Sequence, residues 1–359
     1  MTDYTKIPKV SLHDHLDGGL RPETIVELSK EIGHDLPETD PKKLNQWFLD
    51  SCDSGSLPRY LETFEHTIAV MQTKEALIRV AREFALDLHK DGVIYGEIRW
   101  APEQHLMKGL TLDQVVEYVE EGLSQARQEV KAKGGFLMTG QLVTAMRQNN
   151  RAQEIAELAV RHRNRGVVGF DYAGPEDGFS PARHEAAFTW LNEQLMPVTL
   201  HAGEAAGKDS IRDAIVSGRT LRLGHGVRII EDVFVDANDD SKYGFGEVAT
   251  WVLERGIPLE LSPSSNLQTG AIPGIEEPVM RDHPFDDLYR LGFNVTVNTD
   301  NRLMSGTTLS REIQLLSEAF GYDLEDIELF QLNAANASFI DMDIRSEIIE
   351  RITDWFAKN

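Results

Sequence analysis

Histidines and carboxylates stand at the ends of several short apolar segments, where they could bind a metal ion and activate water. The first such group is His13-Asp14-His15. In an extended strand, side chains two positions apart point to the same side, so His13 and His15 can present two imidazoles to one centre. The pair alone is weak evidence, because two hydrogen-bonded structural histidines would give the same pattern.

Three later apolar segments end in residues of the same kinds, namely His201, His225 and Asp300. If the segments end at one place, His201 and Asp300 join the first pair to give three imidazoles and one carboxylate. This ligand set suits a borderline cation such as Zn²⁺ with an open position for water. The same ligand types also permit Fe²⁺ or Co²⁺.

Glu204 and His225 remain for orienting water and transferring protons. A bound divalent cation lowers the pKa of water toward ~7, but the water must still be held in line and the leaving side of the substrate protonated. His225, between two glycines, can take the first task. Glu204, three residues after His201, can lie beside the ion and act as a general acid and base. The alternatives are a His225 bonded to backbone and a Glu204 that caps a helix.

Eight short apolar segments alternate with helical patterns along the chain. The predicted strands are Val10–His13, Val93–Trp100, Phe136–Val143, Val167–Asp171, Pro197–His201, Leu221–His225, Pro258–Ser262 and Asn294–Asn298. Such alternation is typical of an α/β fold of the (β/α)8 TIM barrel type, in which active sites lie at the carboxyl ends of the strands. We therefore expect residues nearly 290 positions apart to converge at that end of the barrel.

The connection between the first two predicted strands is unusually long. It holds about 80 residues, including the polar, turn-rich segment Gly33–Pro58, far more than a simple βα connection needs. We expect extra helices there, which would lie over the strand ends and could act as a lid; the alternative is a surface insertion without function. Ala76–Lys90 has the amphipathic pattern of a helix. Ile344–Phe356 is predicted to be a closing helix. No linker or repeat divides the chain, which favours a single domain over residues 1–359.

Composition narrows the classes of partner. The chain of 359 residues carries 36 Lys and Arg against 59 Asp and Glu, a formal charge of -23, so it would repel nucleic acid. No apolar run approaches the ~18 residues that cross a bilayer, and Met1–Val10 does not have the pattern of a secretory signal. Cys52 is the only cysteine, which suits a reducing cytoplasm. The expectation is a cytoplasmic protein without nucleic-acid or membrane partners; its oligomeric state is left open.

Seven segments together resemble the adenosine deaminase family within the metal-dependent amidohydrolases. In chain order they are Ser11–Gly19, Leu57–Phe64, Asp171–Gly174, Leu200–Glu204, Leu223–Gly226, Leu261–Asn266 and Val297–Asp300. Each is modest alone, but they follow the family's order over nearly the whole chain. The resemblance implies hydrolytic deamination of adenosine, and of 2′-deoxyadenosine, to inosine and ammonia, with one Zn²⁺ per chain and a small purine nucleoside as partner.

The resemblance also implies a role for each matching residue. The zinc ligands would be His13, His15, His201 and Asp300. His225 would orient and help to activate the water, with Asp300 accepting a hydrogen bond, and Glu204 would protonate purine N1 as hydroxide adds at C6. The Gly174 N–H would meet N3 and Asp17 a ribose hydroxyl. The apolar wall beside the ribose and purine would comprise Leu57, Tyr60, Leu61 and Phe64, which from sequence alone could equally be helix core.

Asn301 departs from the family pattern, in which a second aspartate follows the zinc ligand. In the family this position faces purine N7, a hydrogen-bond acceptor. An aspartate donates there only when it is protonated, whereas an asparagine amide donates at any ordinary pH. We therefore expect Asn301 to keep the N7 contact without an abnormal pKa.

Other functions remain open on the sequence alone. A sister deaminase of the same fold could act on adenine or on a modified adenine nucleoside, although Asp17 and the apolar wall favour a nucleoside. A non-catalytic nucleoside-binding protein could keep the fold, but it would usually have lost one of the reacting groups. Deaminases of adenosine in RNA use a His/Cys/Cys zinc site, which the single cysteine and the charge of -23 exclude.

Overall fold

Ten β-strands are present in the computed structural model, which describes residues 2–236 and 239–359. They are β1 Lys9–His15, β2 Val93–Trp100, β3 Met138–Met146, β4 Val167–Ala173, β5 Thr199–Ala202, β6 Arg222–His225, β7 Val233–Asp236, β8 Asp239–Phe245, β9 Leu259–Leu261 and β10 Val295–Val297. Eight of them correspond to the predicted strands, with ends shifted by a few residues. β7 and β8 form a separate antiparallel pair that the sequence analysis did not predict.

The eight parallel strands close into a barrel. β1 to β4 form one sheet and β5, β6, β9 and β10 the other. One bridge between the sheets joins Phe170 to Val198. At the other junction, the His15 N–H donates to the Asp300 carbonyl (2.7 Å) and the Asp300 N–H to the His13 carbonyl (2.9 Å). Closure of the (β/α)8 TIM barrel therefore places three of the predicted metal ligands side by side.

Helices cover the outside of the barrel and fill the long first connection. Within the described ranges they are α1 Pro22–Ile32, α2 Pro41–Cys52, α3 Leu57–Glu62, α4 Phe64–Val70, α5 Lys74–Lys90, α6 Leu112–Ala132, α7 Ala152–Arg161, α8 Glu185–Glu193, α9 Lys208–Val216, α10 Glu247–Glu254, α11 Pro263–Gln268, α12 Phe285–Arg290, α13 Arg302–Ser305, α14 Leu309–Phe320, α15 Leu324–Ala337 and α16 Met342–Phe356. The helices predicted at Ala76–Lys90 and Ile344–Phe356 are confirmed. In the part of the chain that is described, no helix combines the length and apolarity of a membrane span.

The first connection holds α1 to α5, as predicted from its length. Prolines in the first turn begin α1, α2 and α3, where the missing N–H costs no helical hydrogen bond. Buried side chains of the inserted helices, including Ile25, Phe48 and Tyr60, belong to the same hydrophobic core as the barrel strands. The insertion is therefore packed into the body of the protein, and α3 and α4 border the cavity described below.

The barrel interior also contains a network of buried charges, formed by Glu97, Arg99, Arg222 and Glu260. Arg99 Nη2 lies 2.6 Å from Glu260 Oε2, and Arg222 Nε lies 2.7 Å from Glu260 Oε1. Arg222 Nη2 reaches Glu97 Oε2 at 2.5 Å. All four side chains are at most 1% exposed. Buried charges need partners of opposite sign, and this network supplies them.

Candidate active site

A cavity of about 360 Å³ opens at the carboxyl ends of the barrel strands. This volume lies within the ~300–1,000 Å³ that is usual for small-molecule sites. Every predicted site residue except His13 lines it: His15, Asp17, Leu57, Tyr60, Leu61, Phe64, Gly174, His201, Glu204, His225, Asp300 and Asn301. His13 lies against the same centre, with its Nε2 3.3 Å from Asp300 Oδ1. The structure therefore brings the whole predicted set together.

Imidazole nitrogens and a carboxylate oxygen converge on the cavity floor. His15 Nε2 lies 3.2 Å from His201 Nε2 and 3.3 Å from Asp300 Oδ1. His13 Nε2 is buried and has no hydrogen-bond partner among the described residues. Ligands about 2.0–2.1 Å from a tetrahedral Zn²⁺ are themselves about 3.3 Å apart, so these spacings fit one ion. One nitrogen of His225 also lies within 4.8 Å of ligand atoms of His13, His201 and Asp300, so His225 borders the same centre.

Carboxylates behind two of the histidines fix their orientation. His13 Nδ1 lies 3.1 Å from Glu260 Oε2, and His201 Nδ1 lies 3.1 Å from Asp171 Oδ1. Arg99 pairs with Glu260 at 2.6 Å and approaches Asp171 at 3.6 Å. Such outer contacts turn the second ring nitrogen toward a metal ion and raise its basicity. The sequence analysis missed Glu260 and Arg99, although a charged residue inside an apolar strand is a usable signal for an inward-facing contact.

Burial and neighbouring charges favour neutral imidazoles and an ionised Asp300 carboxylate on the cavity floor. Burial lowers the pKa of His15 and His225 well below the usual value and also lowers the pKa of His201. Burial alone would raise the pKa of Asp300, but its 3.3 Å approach to His13 Nε2 and the other nearby imidazoles hold that pKa well below its usual range. Metal ligands must be neutral imidazole and ionised carboxylate, so the states of His15, His201 and Asp300 fit the binding of a divalent cation.

Glu204 lies on the loop after β5, and a second glutamate holds that loop. The Glu176 carboxylate accepts hydrogen bonds of 2.6–3.1 Å from four consecutive backbone N–H groups, Gly203–Ala206, and one of 2.5 Å from the Ser210 hydroxyl. Burial raises the pKa of Glu204 well above its usual value, and the charges of Asp300 and Glu176 add to the effect. The neutral carboxylic acid, which can donate a proton, is therefore favoured. The sequence analysis missed Glu176.

The two structural alternatives for Glu204 and His225 are wrong. The next helix, α9, begins at Lys208 with Gly207 as its N-cap and without a side-chain cap, so Glu204 does not cap it. His225 Nδ1 contacts the Asn266 side chain at 2.9 Å rather than a backbone group, and its Nε2 lies 3.6 Å from Glu204 Oε2. His225 and Asp300 also have left-handed backbone (φ 62° and 59°), a strained conformation that is common at functional sites.

Polar groups on the cavity wall have free hydrogen-bonding capacity. Asp17 Oδ1 is buried without a partner among the described residues, and burial raises the pKa of this carboxyl to about 7. Gly174 has φ 110°, and an added Cβ would lie 2.6 Å from Gln148 Oε1, so only glycine fits there. Asn301 Oδ1 packs against Gly18, where a Cβ would collide with it. Asn301 itself lines the cavity.

The predicted apolar wall comes from α3 and α4. Leu57, Tyr60, Leu61 and Phe64 border the cavity. Tyr60 is only 1% exposed and belongs to the hydrophobic core, so the helix-core alternative is also correct for this residue. These side chains line the cavity, and Tyr60 and Phe64 also pack in the hydrophobic core, so the two predicted positions do not exclude each other.

A closed TIM barrel with histidines and an aspartate gathered at its carboxyl ends has the architecture of the metal-dependent amidohydrolases. The family described as Adenosine deaminase matches residues 8–355. Adenosine deaminase 1 of Streptomyces coelicolor is 54% identical over 97% of this chain and 86% of that protein. The chain belongs to the adenosine deaminase family.

Solved structures share the fold at lower sequence identity. The adenine deaminase of Arthrobacter aurescens superposes with a TM-score of 0.82 at 22% identity, covering 98% of this chain and 100% of that chain. The arabidopsis ADAL protein, complexed with GMP, gives a TM-score of 0.83 at 23% identity over 100% of both chains. These two likenesses establish the barrel fold.

Proposed function

We propose that this chain hydrolyses adenosine, and 2′-deoxyadenosine, to inosine and ammonia in one catalytic domain spanning residues 1–359. The observation that carries the proposal is the convergence of His13, His15, His201, Asp300 and Glu204 on the floor of one cavity. The relative of 54% identity is named as an adenosine deaminase, which supports the same reaction.

The family is metal-dependent, and the four proposed ligands for one Zn²⁺ are His13, His15, His201 and Asp300. The unpartnered His13 Nε2 and the spacing of the donor atoms support this assignment. When bound, such a cation lowers the pKa of water toward ~7 and so makes it nucleophilic at neutral pH. The carboxylates of Glu260 and Asp171 would keep two of the imidazoles turned toward it.

Glu204 would act on the purine, and His225 would act on the attacking water. The protonated Glu204 carboxyl donates to purine N1, which draws electrons from C6 and prepares that carbon for attack. His225 and the ionised Asp300 hold the attacking water through hydrogen bonds. Because His225 Nε2 and Glu204 Oε2 are only 3.6 Å apart, both side chains can reach one reacting carbon. The C6–O bond forms, and the two protons of the water go to the amino nitrogen and to the Glu204 carboxylate, which has given its own proton to N1. The bond from C6 to the amino nitrogen then breaks, and ammonia leaves.

The remaining wall residues would position the nucleoside. The Gly174 N–H is assigned to N3, the Asn301 amide nitrogen to N7, and Asp17 to a ribose hydroxyl. Asn301 would donate in every protonation state of the site, unlike an aspartate. Leu57, Tyr60, Leu61 and Phe64 would cover the purine and ribose and exclude water. Their place on the inserted helices supports the predicted lid.

The charge of the cavity favours a nucleoside over a nucleotide. Its described lining residues include Asp17, Glu62 and Glu65 but neither lysine nor arginine. Glu62 and Glu65 are exposed residues of α3 and α4 that border the cavity. A 5′-phosphate would meet carboxylates without a compensating cation, which is unfavourable at short range. The arabidopsis protein of the same fold was crystallised with GMP, so the barrel itself does not exclude nucleotides.

A substrate panel tests this proposal. Adenosine, 2′-deoxyadenosine, adenine and AMP are each followed by ultraviolet absorbance at equal enzyme concentration, and kcat/KM is compared. We expect the two nucleosides to be deaminated fastest. Faster turnover of adenine or AMP would identify the sister activity, and bound adenosine that is never converted would favour the non-catalytic alternative.

A charge variant tests the exclusion of nucleotides. The double variant Glu62→Gln and Glu65→Gln should raise the relative rate with AMP while leaving the rate with adenosine within about twofold, since it removes repulsion from the 5′ side only. Glu117→Gln, an exposed glutamate on α6, is the matched control and should change neither rate. An unchanged preference in the double variant would contradict the electrostatic explanation.

A further inference from the structure

A chain of buried hydrogen bonds runs from His225 away from the cavity. His225 Nδ1 lies 2.9 Å from Asn266 Nδ2, and Asn266 Oδ1 lies 3.2 Å from His283 Nε2. The three side chains are at most 2% exposed. Asn266 and His283 are not among the described residues that line the cavity. The chain therefore reaches the site only through His225.

Two backbone groups fix the direction of this chain because an N–H can only donate. The Ser262 N–H donates to Asn266 Oδ1 at 3.3 Å, which sets the amide orientation and turns Nδ2 toward His225. The Phe285 N–H donates to His283 Nδ1 at 3.0 Å, so the proton of the neutral His283 ring is on Nε2. That proton points to Asn266 Oδ1, which agrees with the amide orientation.

The contact with Asn266 also determines which ring nitrogen of His225 carries the proton. Asn266 Nδ2 donates to His225 Nδ1, so this nitrogen is the acceptor and the proton of the neutral ring is on Nε2. Nε2 is the atom 3.6 Å from Glu204 Oε2. The ring thus presents the Nε2–H donor to the cavity floor, and the lone pair of Nδ1 accepts the hydrogen bond from Asn266.

We propose that Asn266 and His283 are positioning residues that hold His225 as the Nε2–H tautomer. This inference rests on the proposed function, in which His225 orients the attacking water. In this tautomer His225 binds the water oxygen as a donor and cannot take a proton at Nε2. Acceptance of the water proton is left to the carboxylates on the floor.

The tautomer is measured directly in the unaltered protein. The Zn²⁺-loaded chain, labelled with ¹⁵N in the histidine rings, is examined by two-bond ¹H–¹⁵N correlation, and His225 is assigned by its loss in His225→Gln. We expect an unprotonated Nδ1 and a protonated Nε2. A proton on Nδ1 overturns the proposal. The measurement does not depend on turnover, so a chain that fails to deaminate adenosine would disprove the proposed function separately.

A variant tests the contribution of Asn266. Asn266→Asp keeps the size of the side chain but turns an acceptor toward His225 Nδ1, so the proton should move to Nδ1. We expect kcat to fall about 10- to 100-fold, as for other residues that orient a site from behind, with KM within about twofold. Zinc content should stay at the wild-type value. A His225 tautomer that does not change in this variant overturns the proposal, whatever the activity.

Asn333→Asp is the matched control. Asn333 is a partly buried amide on α15 that donates to the Val295 carbonyl at 3.1 Å, outside the hydrogen-bond chain. The control carries the same chemical change and should leave both the His225 tautomer and kcat unaltered. An equal shift of the tautomer in both variants would overturn the proposal, because it would show that the change does not depend on the Asn266 contact.

Discussion

The barrel holds two sets of buried polar groups that differ in how fully they are partnered. In the interior network, Glu97 accepts from the Tyr95 hydroxyl, Arg222 and the Phe339 N–H, and Glu260 is bonded on both oxygens. Within this network of four side chains, only Arg99 Nε and Nη1 have no hydrogen-bond partner among the described residues, and Nη1 lies 3.6 Å from the Asp171 carboxylate. At the cavity, several buried atoms have no partner in the described structure: His13 Nε2, Asp17 Oδ1 and Glu204 Oε1.

The two sets of buried polar groups are expected to serve different purposes, one in stability and the other in binding and catalysis. Buried polar atoms without partners cost free energy, so a folded protein keeps few of them unless a ligand supplies the missing contact. The paired charges should therefore carry stability, and the unpaired ones should carry binding and catalysis. Substitutions in the two sets are expected to separate the free energy of unfolding from kcat.

The largest expected effect on catalysis is that of Glu204→Gln. The amide keeps the shape but cannot deliver a proton to N1, so kcat should fall about 10²- to 10⁴-fold. The melting temperature should stay the same or rise, because a carboxyl that resists ionisation is replaced by a neutral group. Glu312→Gln, a fully buried glutamate on α14 whose pKa burial also raises, is the control and should retain kcat. Equal losses in the two variants would contradict a specific role for Glu204.

Glu97→Ala should lower the stability of the protein but leave kcat nearly unchanged. Without Glu97, Arg222 Nη2 loses its carboxylate partner, and Glu260 is the only anion left in the network to face both Arg99 and Arg222. Breaking a buried ion pair in this way costs about 3–5 kcal/mol of unfolding free energy, measured by chemical denaturation. The kcat of the folded fraction should stay within about twofold. Glu347→Ala breaks the exposed pair with Arg351 and should cost less than about 1 kcal/mol. The distinction fails if Glu97→Ala is no more destabilising than this control, or if its kcat falls as well.

The effect of Glu176→Gln should lie between those of the two sets, because Glu176 is a fully bonded side chain that holds the loop of Glu204. One amide oxygen cannot replace two carboxylate oxygens toward four N–H groups and Ser210. We expect the loss of one to two charge-assisted hydrogen bonds to misplace Glu204 and lower kcat about 10- to 100-fold. Asp177→Asn, at the exposed neighbouring position, should be neutral. An unchanged kcat in Glu176→Gln would contradict the role of Glu176 in positioning Glu204.

The smallest expected effect is that of Asn301→Ala. Loss of one neutral hydrogen bond to N7 should reduce kcat/KM with adenosine about 2- to 13-fold. With 7-deazaadenosine, which lacks that acceptor, the same substitution should matter much less. Equal losses on the two substrates would reject the N7 contact.

The sequence predicted the eight barrel strands and the residues at their ends, because apolar segments and helical periodicity are local signals. It also predicted the inserted helices, since 80 residues exceed any simple connection. The β7–β8 pair escaped prediction. Of its described side chains, Phe234, Val235 and Tyr243 are more than half exposed, and only Val233 and Phe245 at the ends of the pair pack against the core, so the segment has little periodic apolar pattern.

The contacts behind the site were harder to predict because they join distant loops. Glu176 meets the Glu204 loop only after the barrel has closed, and nothing in its own segment marks it as a loop anchor. The pairing of His283 with Asn266 likewise depends on how the chain after α11 packs. Glu260 and Arg99 are different, since a charge inside an apolar strand could have been recognised.

The proposed reaction depends most on one cation held by His13, His15, His201 and Asp300. The direct measurement is adenosine turnover by the purified chain, with its metal content determined, before and after chelation. We expect about one Zn²⁺ per chain, no inosine formation once the metal is removed, and recovery on adding Zn²⁺ in equal amount. A metal-free sample that still releases ammonia at the original rate would contradict the account.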